Sequence, residues 1–426
     1  MPSPSEPAAR VAVTSWIVYD LANTIFALGV VGLYFSDWLI SENQPDSALA
    51  GVQIAAAAVV IFLSPWVGAR SDVLGRRVPT LIATTLLAVL ATALLAVGPV
   101  WLTLVMLWVA VVAVNTGSVV YDALLVDVST EQNRGRISGY GIGVGYIGSF
   151  VGLGLGLLAL DVLDWGYPGA FRLIAIAFLV FALPSFFFIA ERPGVADEPL
   201  PTIREIAIRL ARSWRTAGEH EGVVRFLVGR FFYTDAINTL IGGFLAIFVI
   251  DELGLTRGFF TALMGVAITA AVAGGLLAGR FIERHGPLAV LRTVLGMWVV
   301  AMIAGVAAAV TDQTGLAWII GPVGGLALGG TWAADRVVMT RISPPRHLGE
   351  FYGLYATVGR FATIAGPLVW ALIVDVAGLG RSTALGALAV FVVIGWWIIA
   401  QVDDRIRHWA PEHRLVVSEI RGSSPT

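Results

Sequence analysis

The decapeptide Gly68-Ala-Arg-Ser-Asp72-Val-Leu-Gly75-Arg76-Arg77 stands between two long apolar segments of the chain. Gly68 permits a close contact between helices, and Gly75 permits a tight turn because glycine has no Cβ atom. Asp72 is suited to face a helix N-terminus or one of the neighbouring arginines. The stretch therefore predicts a tight, charged connection between two apolar helices.

The segments around this connection are too apolar for a soluble fold. Of the 426 residues, 57% are hydrophobic and 13% are charged, whereas soluble domains carry about 25% charged residues. A membrane-spanning helix needs about 20 mostly apolar residues, and runs of this length exclude a β-barrel, whose strands alternate. We predict an all-α membrane protein with twelve spans, near residues 12–38, 48–70, 78–97, 100–129, 137–160, 169–190, 223–250, 258–281, 287–310, 314–342, 350–376 and 381–401.

Three patterns recur in the second half of the chain at separations of 211 to 215 residues. They are the Gly68–Gly75 pattern at Gly279–Gly286, Asp-x-x-Asn-Thr from Asp20 and again from Asp235, and the aspartates Asp122 and Asp335. This spacing indicates two six-helix repeats, an architecture known in transporters. We predict an N-terminal bundle over residues 1–190, a linker over 191–222, a C-terminal bundle over 223–401 and a tail over 402–426.

All 27 basic residues are arginines, and their distribution predicts an orientation. Most lie in the tails and alternate loops of one side, whereas the opposite side holds Arg172, Arg257 and Arg381. Because basic loops favour the cytoplasm, we expect a bacterial plasma-membrane protein with both termini cytoplasmic. In the linker, Thr202 and Glu205 form a capping-box pattern. The basic amphipathic helix that follows is either a surface-lying membrane helix or a plain connector.

Several stretches resemble one known family. The loop from Gly68 to Arg77 resembles the signature loop of the major facilitator superfamily, which by that resemblance latches the two halves together and gates closure. Four further segments resemble the "unknown major facilitator" family, whose fungal branch is implicated in vacuolar amino-acid efflux: 19–23, 139–149, 230–239 and 350–367. Four residues depart from that family's usual ones: Leu21, Ala236, Asp335 and Arg360. The resemblance implies that spans 1, 4, 7 and 10 line a central cavity.

Charged residues inside the spans are the functional candidates, since each costs about 2.5–3.5 kcal/mol at a helix centre. Each of the four spans that the resemblance places around the cavity carries one aspartate, and these are Asp20, Asp122, Asp235 and Asp335. Arg360 lies ten residues into the eleventh predicted span, which is roughly 15 Å deep. The candidate substrate and proton-coupling residues are Asp20, Asn23, Asp122, Tyr146, Asp235, Asn238, Asp335, Arg336 and Arg360.

These candidates also have structural interpretations. Asp20 and Asp235 are equally suited to hydrogen-bond a neighbouring helix and fix its packing. Asp335 is placed to pair with Arg336 or Arg360. Arg360 either binds a substrate anion or neutralises one of the aspartates.

The predicted gating loop comprises Gly68, Asp72, Gly75, Arg76 and Arg77, together with two acids at the end of the fourth span, Asp127 and Glu131. We expect these two acids to pair with the loop arginines rather than to touch substrate. The loop is therefore predicted to control conformation and not to bind the solute.

The expected function is secondary active transport of a small polar solute, an amino acid or similar zwitterion, by rocker-switch alternating access. Arg360 would bind the carboxylate and a cavity aspartate the amine. The five histidines lie in loops or the tail, so a carboxylate would carry any coupled proton. The alternatives are a flippase or exporter of lipid-like amphiphiles and a non-transporting sensor or assembly factor.

Several other classes are excluded by the sequence. It has no cysteine, no nucleotide-binding or hydrolase motif, and a net charge of -2 that gives no nucleic-acid footprint. We therefore expect no enzymatic activity, no cofactor and no metal. The expected partners are the solute, the lipid bilayer and, where transport is proton-coupled, a proton; the expected state is a monomer.

Overall fold

The computed structural model describes residues 6–74, 76–130, 134–190, 202–220, 222–344 and 348–403. Within them, eleven helices are long and apolar enough to cross a membrane, and the shorter apolar helix Arg77–Ala93 stands in third place. The predicted all-α, twelve-helix class is thereby confirmed. The spans are α1 (Arg10–Ser41), α2 (Asp46–Leu74), α3 (Arg77–Ala93), α4 (Val100–Val128), α5 (Arg134–Leu157), α6 (Gly166–Phe188), α7 (Val223–Glu252), α8 (Arg257–His285), α9 (Pro287–Val310), α10 (Thr314–Ile342), α11 (Leu348–Phe361, then Ala365–Ala371) and α12 (Arg381–Ile399).

Helix α3 ends earlier than the predicted residue 97. The backbone leaves the helix after Ala93, and Ala96 and Gly98 adopt positive φ angles of 58° and 106°. Pro99 then takes the N-cap position of α4. Glycine and proline next to each other are strong signals for a turn, and here they connect two spans that hydropathy alone nearly merges.

Odd-numbered spans begin on the side where α1 begins, which we call the proximal side; the opposite side is the distal side. The linker helix (Ile203–Gly218) connects α6 to α7 on the proximal side. Its predicted capping box is present, with the Thr202 N–H donating to Glu205 at 2.8 Å and the Glu205 N–H donating to Thr202 at 3.2 Å. Residues 191–201 and 404–426, parts of the predicted linker and tail, lie outside the described residues.

The two halves repeat the same helix pairings. In the first half α1 packs against α5 and α6, and α4 packs against α2 and α3. In the second half α7 packs against α11 and α12, and α10 packs against α8 and α9. Among the described residues, the halves meet mainly through three pairs, α1 with α7, α2 with α11 and α5 with α8. These pairings agree with a duplication of six helices.

The contact between α1 and α7 depends on a kink in α7. Gly243 has a φ angle of 109°, a left-handed conformation that glycine adopts without steric cost. A Cβ atom at this position would lie 2.7 Å from the Val31 carbonyl oxygen of α1 and closer still to the Ser36 hydroxyl. The kink therefore brings the distal part of α7 directly onto α1.

Candidate functional site

A cavity of about 410 Å³ lies between the halves, lined by α1, α2, α4, α7 and α11. Its polar side chains come from both halves: Gln53 and Asn115 from the first, Asn238 and Arg360 from the second. The Gln53 amide donates across the interface to the Gly242 carbonyl at 2.5 Å. We call this space the polar lobe.

A second cavity, of about 270 Å³, lies on the other side of α1 and α7 and is bounded by α5, α8, α9 and α10. Its walls are mainly apolar and include Trp298 and Trp332, with the predicted site residue Tyr146 on the α5 side. Ala27 and Ile241 line both cavities. This second space, the apolar lobe, therefore adjoins the polar lobe and gives the central site an amphipathic character.

Charges of opposite sign on the two halves lie within electrostatic range of each other. Asp122 on α4 and Arg336 on α10 are exposed although both lie inside spans. Asp122 is within electrostatic range of Arg336 and Arg360 on the opposite half and of Asp20 on its own half. The first half thus contributes an acidic wall, and the second half a basic one. Within the described residues, Asp122, Arg336 and Arg360 have no ion-pair partner within 4.0 Å.

Asp20 is packed between α4 and α5. Its carboxylate lies beside the Tyr121 hydroxyl, which donates to the Trp16 carbonyl at 3.1 Å. A Cβ atom on Gly145 of α5 would lie 2.5 Å from the Asp20 Oδ2 atom. With glycine at this position the carboxylate packs closely against α5, so Asp20 combines a packing role with its place in the acidic wall.

Asp335 does not face the cavity. It is fully buried, and its partner is Arg230 of α7, with Nε 3.2 Å from the carboxylate. Tyr355 of α11 donates to the same carboxylate at 2.8 Å, and the Arg230 guanidinium lies 3.6 Å from the centre of its ring. Asp335 therefore has a structural ion pair, as one of its two interpretations held, but the partner is Arg230 and not Arg336 or Arg360. In this conformation Asp335 joins three helices of one half.

Sequence reasoning missed Arg230 because its place near the start of α7 suggested a loop-facing residue. Burial favours a register one residue from the predicted match of Asp122 with Asp335. At a separation of 214 residues, Tyr121 and Asp335 are both buried, and Asp122 and Arg336 are both exposed. One position along a helix turns a side chain by about 100°, which moves it from the cavity into the bundle.

Asp235 is also buried and points away from both lobes, toward α11. Asn238, one turn later, lines the polar lobe and donates to the Ala362 carbonyl of α11 at 3.0 Å. The Oδ1 atom of Asn23, its counterpart on α1, is buried and makes no hydrogen bond within the described residues. Of the two aspartates in the repeated motif, only Asp20 is near the cavity charges.

The structure describes part of the predicted gating loop. Arg77 forms an ion pair of 2.8 Å with Asp127, which is the expected type of partner. A Cβ atom on Gly68 would lie 3.3 Å from Val119 of α4, so α2 and α4 approach closely there. Arg76 is exposed. Gly75, Glu131 and the side chain of Asp72 lie outside the described parts of the structure.

Two clusters of charged residues, which the sequence did not reveal, join the halves on the distal side. In the first, Arg257 of α8 pairs with Asp37 of α1 and, at 2.9 Å, with Asp161 after α5. In the second, Asp46 of α2 accepts from Arg381 of α12 at 2.8 and 2.9 Å. The distal end is therefore closed by ion pairs.

The second cluster is the more deeply buried. Asp46 is 1% exposed and also accepts a hydrogen bond of 2.7 Å from Trp370 Nε1. Arg381 has a further partner on its own half, Asp251, at 2.6 Å. Asp46 and Arg257 begin the equivalent helices α2 and α8, so the two clusters occupy equivalent places with the charges reversed.

A twelve-helix protein with two repeated bundles and a central cavity closed at one end has the architecture of a membrane transporter. The sequence model of the major facilitator superfamily matches residues 13–367 and 226–420. The chain belongs to this superfamily and is a secondary transporter of multi-pass membrane type.

Among its relatives is YxiO of Bacillus subtilis, an uncharacterised transporter of the superfamily, which is 28% identical over 92% of this chain and 94% of its own length. Autophagy-related protein 22-1 of Penicillium rubens is 25% identical over 63% of this chain. The chain spans about half the length of this fungal relative, with 49% of it covered.

Solved structures share the fold. The nucleoside transporter NupG superimposes with a TM-score of 0.69 at 12% identity, over 92% of this chain and 98% of its own. A bacterial homologue of the lysosomal transporter Spinster gives 0.68 at 17% identity, over 96% and 100%. At these identities the likeness concerns the fold alone.

Proposed function

We propose that this transporter carries a small organic zwitterion, such as an amino acid. The observation that supports the proposal is the separation of charge across the central site, with Asp20 and Asp122 on one half and Arg336 and Arg360 on the other. Charge-assisted hydrogen bonds are the stronger ones. A solute with a carboxylate and an amine can satisfy both walls at once, which an anion or a cation alone cannot.

Arg360 is the proposed carboxylate-binding residue. It lines the polar lobe beside Asn115 and Asn238, whose amides supply neutral donors and acceptors. Its guanidinium presents a planar set of donors that matches a carboxylate. The amine would then lie toward Asp122, which is within electrostatic range of Arg360.

The proposed mechanism is rocker-switch alternating access. Opening the distal side requires the ion pairs of Arg257 and Arg381 to break. Closing the proximal side brings together equivalent positions of the two halves, because these are related by the pseudo-two-fold axis. Asp122 and Arg336 are such a pair, and we expect them to form an ion pair in the distal-open state.

The proposed location is the bacterial plasma membrane, with the proximal side in the cytoplasm. The arginine-rich loops and the linker helix lie on that side, in accordance with the preference of basic residues for the cytoplasm. If transport is coupled to protons, Asp20 and Asp122 are the proposed carriers. Both lie near cavity arginines whose distance changes when the halves rock.

The apolar lobe supports a second candidate, transport of a lipid-like amphiphile. Two tryptophans and Phe260 line a space that adjoins the charged lobe. An amphiphile would place its head group near Arg360 and its chain in the apolar lobe. The two candidates differ in whether the amine is required.

The test is uptake of a panel of labelled amino acids into proteoliposomes under an imposed pH gradient. Wild type is compared with Arg360→Ala and with Arg280→Ala, which removes an exposed arginine of α8 far from both lobes. We expect uptake by wild type and by the Arg280 variant, and only a small residual uptake by the Arg360 variant. Correctly folded wild-type protein that takes up no panel member would contradict the zwitterion proposal, and flipping of a labelled lysolipid would then favour the second candidate.

A further inference from the structure

Helix α11 is broken inside the membrane. Its first segment ends at Phe361, its second begins at Ala365, and Ala362 to Ile364 form a turn between them. A helix end leaves its last carbonyl groups and first N–H groups without partners in the helix. Inside a bilayer such groups must be satisfied by other parts of the protein.

Two side chains of α7 meet the two ends of this break. The Asn238 amide donates to the Ala362 carbonyl at 3.0 Å, at the end of the first segment. The Asp235 carboxylate lies against the N–H groups of Ile364 and Gly366, at the start of the second segment. The carboxylate makes no hydrogen bond of regular geometry, and no side chain caps the second segment by such a bond; its oxygens nevertheless stand as acceptors beside these N–H groups, as an aspartate or asparagine oxygen does at a helix N-terminus.

The packing around the break leaves little freedom. Thr239 donates to the Asp235 carbonyl at 2.7 Å, and a Cβ atom on Gly366 would collide with the Thr239 hydroxyl. Asp235 itself is 0% exposed. Asp235 is therefore fitted to the broken part of α11 and, unlike Asn238, does not line the polar lobe.

Arg360 lies immediately before the break. The Thr363 hydroxyl, inside the turn, donates to the Arg360 carbonyl at 2.7 Å. The conformation of the turn therefore sets the position from which the Arg360 side chain enters the polar lobe. The equivalent helix of the first half, α5, is continuous from Arg134 to Leu157, and Asp20 there faces Gly145 instead of a helix end.

We propose that Asp235 and Asn238 are positioning residues, which cap the break in α11 and thereby hold Arg360 in the central site. This assigns Asp235 a role other than proton transfer. The effect of these two residues on transport rests on the proposed function of Arg360. Their stabilisation of the break in α11 is independent of that proposal. The two can therefore be tested separately.

The capping is tested by hydrogen–deuterium exchange of the full chain in lipid nanodiscs, without any substrate. Loss of a cap typically weakens a helix end enough to raise local opening roughly 2- to 30-fold. We expect this increase in the 361–368 peptide of Asp235→Ala and of Asn238→Ala. Asp235→Asn keeps an acceptor oxygen and should exchange like wild type. Asp20→Ala is the matched control, and its 361–368 peptide should not change. Unchanged exchange in both the Asp235→Ala and Asn238→Ala proteins would overturn the proposal.

The positioning of Arg360 is tested by its rate of modification with phenylglyoxal, followed by mass spectrometry. This rate should change in Asp235→Ala and remain that of wild type in Asp235→Asn. The effect on transport is measured with any panel amino acid that wild type takes up. In the single variant Asp235→Ala, KM for this amino acid should rise at least tenfold. Adding Asp235→Ala to Arg360→Ala should leave the residual uptake of the Arg360 variant unchanged. If instead Asp235→Asn abolishes gradient-driven uptake while retaining substrate exchange, Asp235 carries a proton and the assignment is wrong. If no panel member is transported, the exchange and modification results still decide the positioning role.

Discussion

Removing the negative charge of Asp46 should open the distal side of the transporter. Asp46→Asn preserves size and a helix-capping side chain but weakens two charge-assisted bonds to Arg381, of 2.8 and 2.9 Å. Breaking a buried ion pair by removing one partner costs about 3–5 kcal/mol. Because Arg381 retains Asp251 at 2.6 Å, we expect the lower end, about 3 kcal/mol. In the proposed rocker-switch mechanism the pair bridges the halves only when the distal side is closed, so this loss should shift the conformational equilibrium by about 100-fold.

The absence of cysteine makes the shift measurable with two introduced thiols. Val162 and Val376 are 72% and 76% exposed a few residues beyond the distal ends of α5 and α11, so spin labels at these positions report the separation of the halves. Electron–electron distance measurements in nanodiscs should show a longer distance in Asp46→Asn. The control is Asp312→Asn, an exposed carboxylate of a distal loop, which should match the parent. A distance distribution in Asp46→Asn identical to that of the parent would refute the reasoning.

Three further predictions concern other parts of the molecule. Arg230→Ala should lower the free energy of unfolding by about 3–5 kcal/mol, seen as a lower melting temperature. The double variant with Arg230→Met and Asp335→Leu should recover most of this loss, and equal melting temperatures for wild type, the single variant and the double variant would contradict the buried ion pair's role. Cysteines in place of Asp122 and Arg336 should cross-link more readily in the Asp46→Asn background than in its absence, and equal yields would argue against their approach in the distal-open state. Gly243→Ala should reduce both thermal stability and uptake, because its Cβ atom would press on α1; retention of both would show that the kink is dispensable.

Much of the architecture could be predicted because hydropathy is a local property of the sequence. Each span needs only its own apolar run, and the repeat is visible in motifs such as those from Asp20 and Asp235. The ion pair of Arg77 with Asp127 was also expected, since both residues lie at neighbouring helix ends on one side of the membrane.

The direction in which each side chain points was harder to predict. A helix deep inside a bundle has apolar residues all round, so its hydrophobic pattern does not reveal which face meets the cavity. Asp335 and Arg336 are adjacent in sequence, yet one is buried against Arg230 and the other is exposed. Neither residue type by itself indicates whether its side chain is buried in the bundle or exposed.

Contacts between the halves could not be predicted for a different reason. Arg257 and Arg381 were visible as exceptions to the arginine bias, but their partners lie 220 and 335 residues away. The break in α11 was similarly hidden, because the second segment follows with only a glycine and a proline as local signals. A search for acids at equivalent distal helix ends would have indicated the clusters.

The most direct test of the zwitterion proposal is competition by substrate analogues that lack one charge. For the panel amino acid that wild type transports best, its decarboxylated amine and its deaminated acid are each tested as inhibitors of uptake. A charge-assisted hydrogen bond contributes about 1.5–3 kcal/mol, so each analogue should bind about 10- to 150-fold more weakly than the parent. In Arg360→Ala protein, parent and amine should compete equally for whatever binding remains. An amine that competes as well as its parent amino acid against wild type would contradict the assignment of Arg360 as the carboxylate-binding residue.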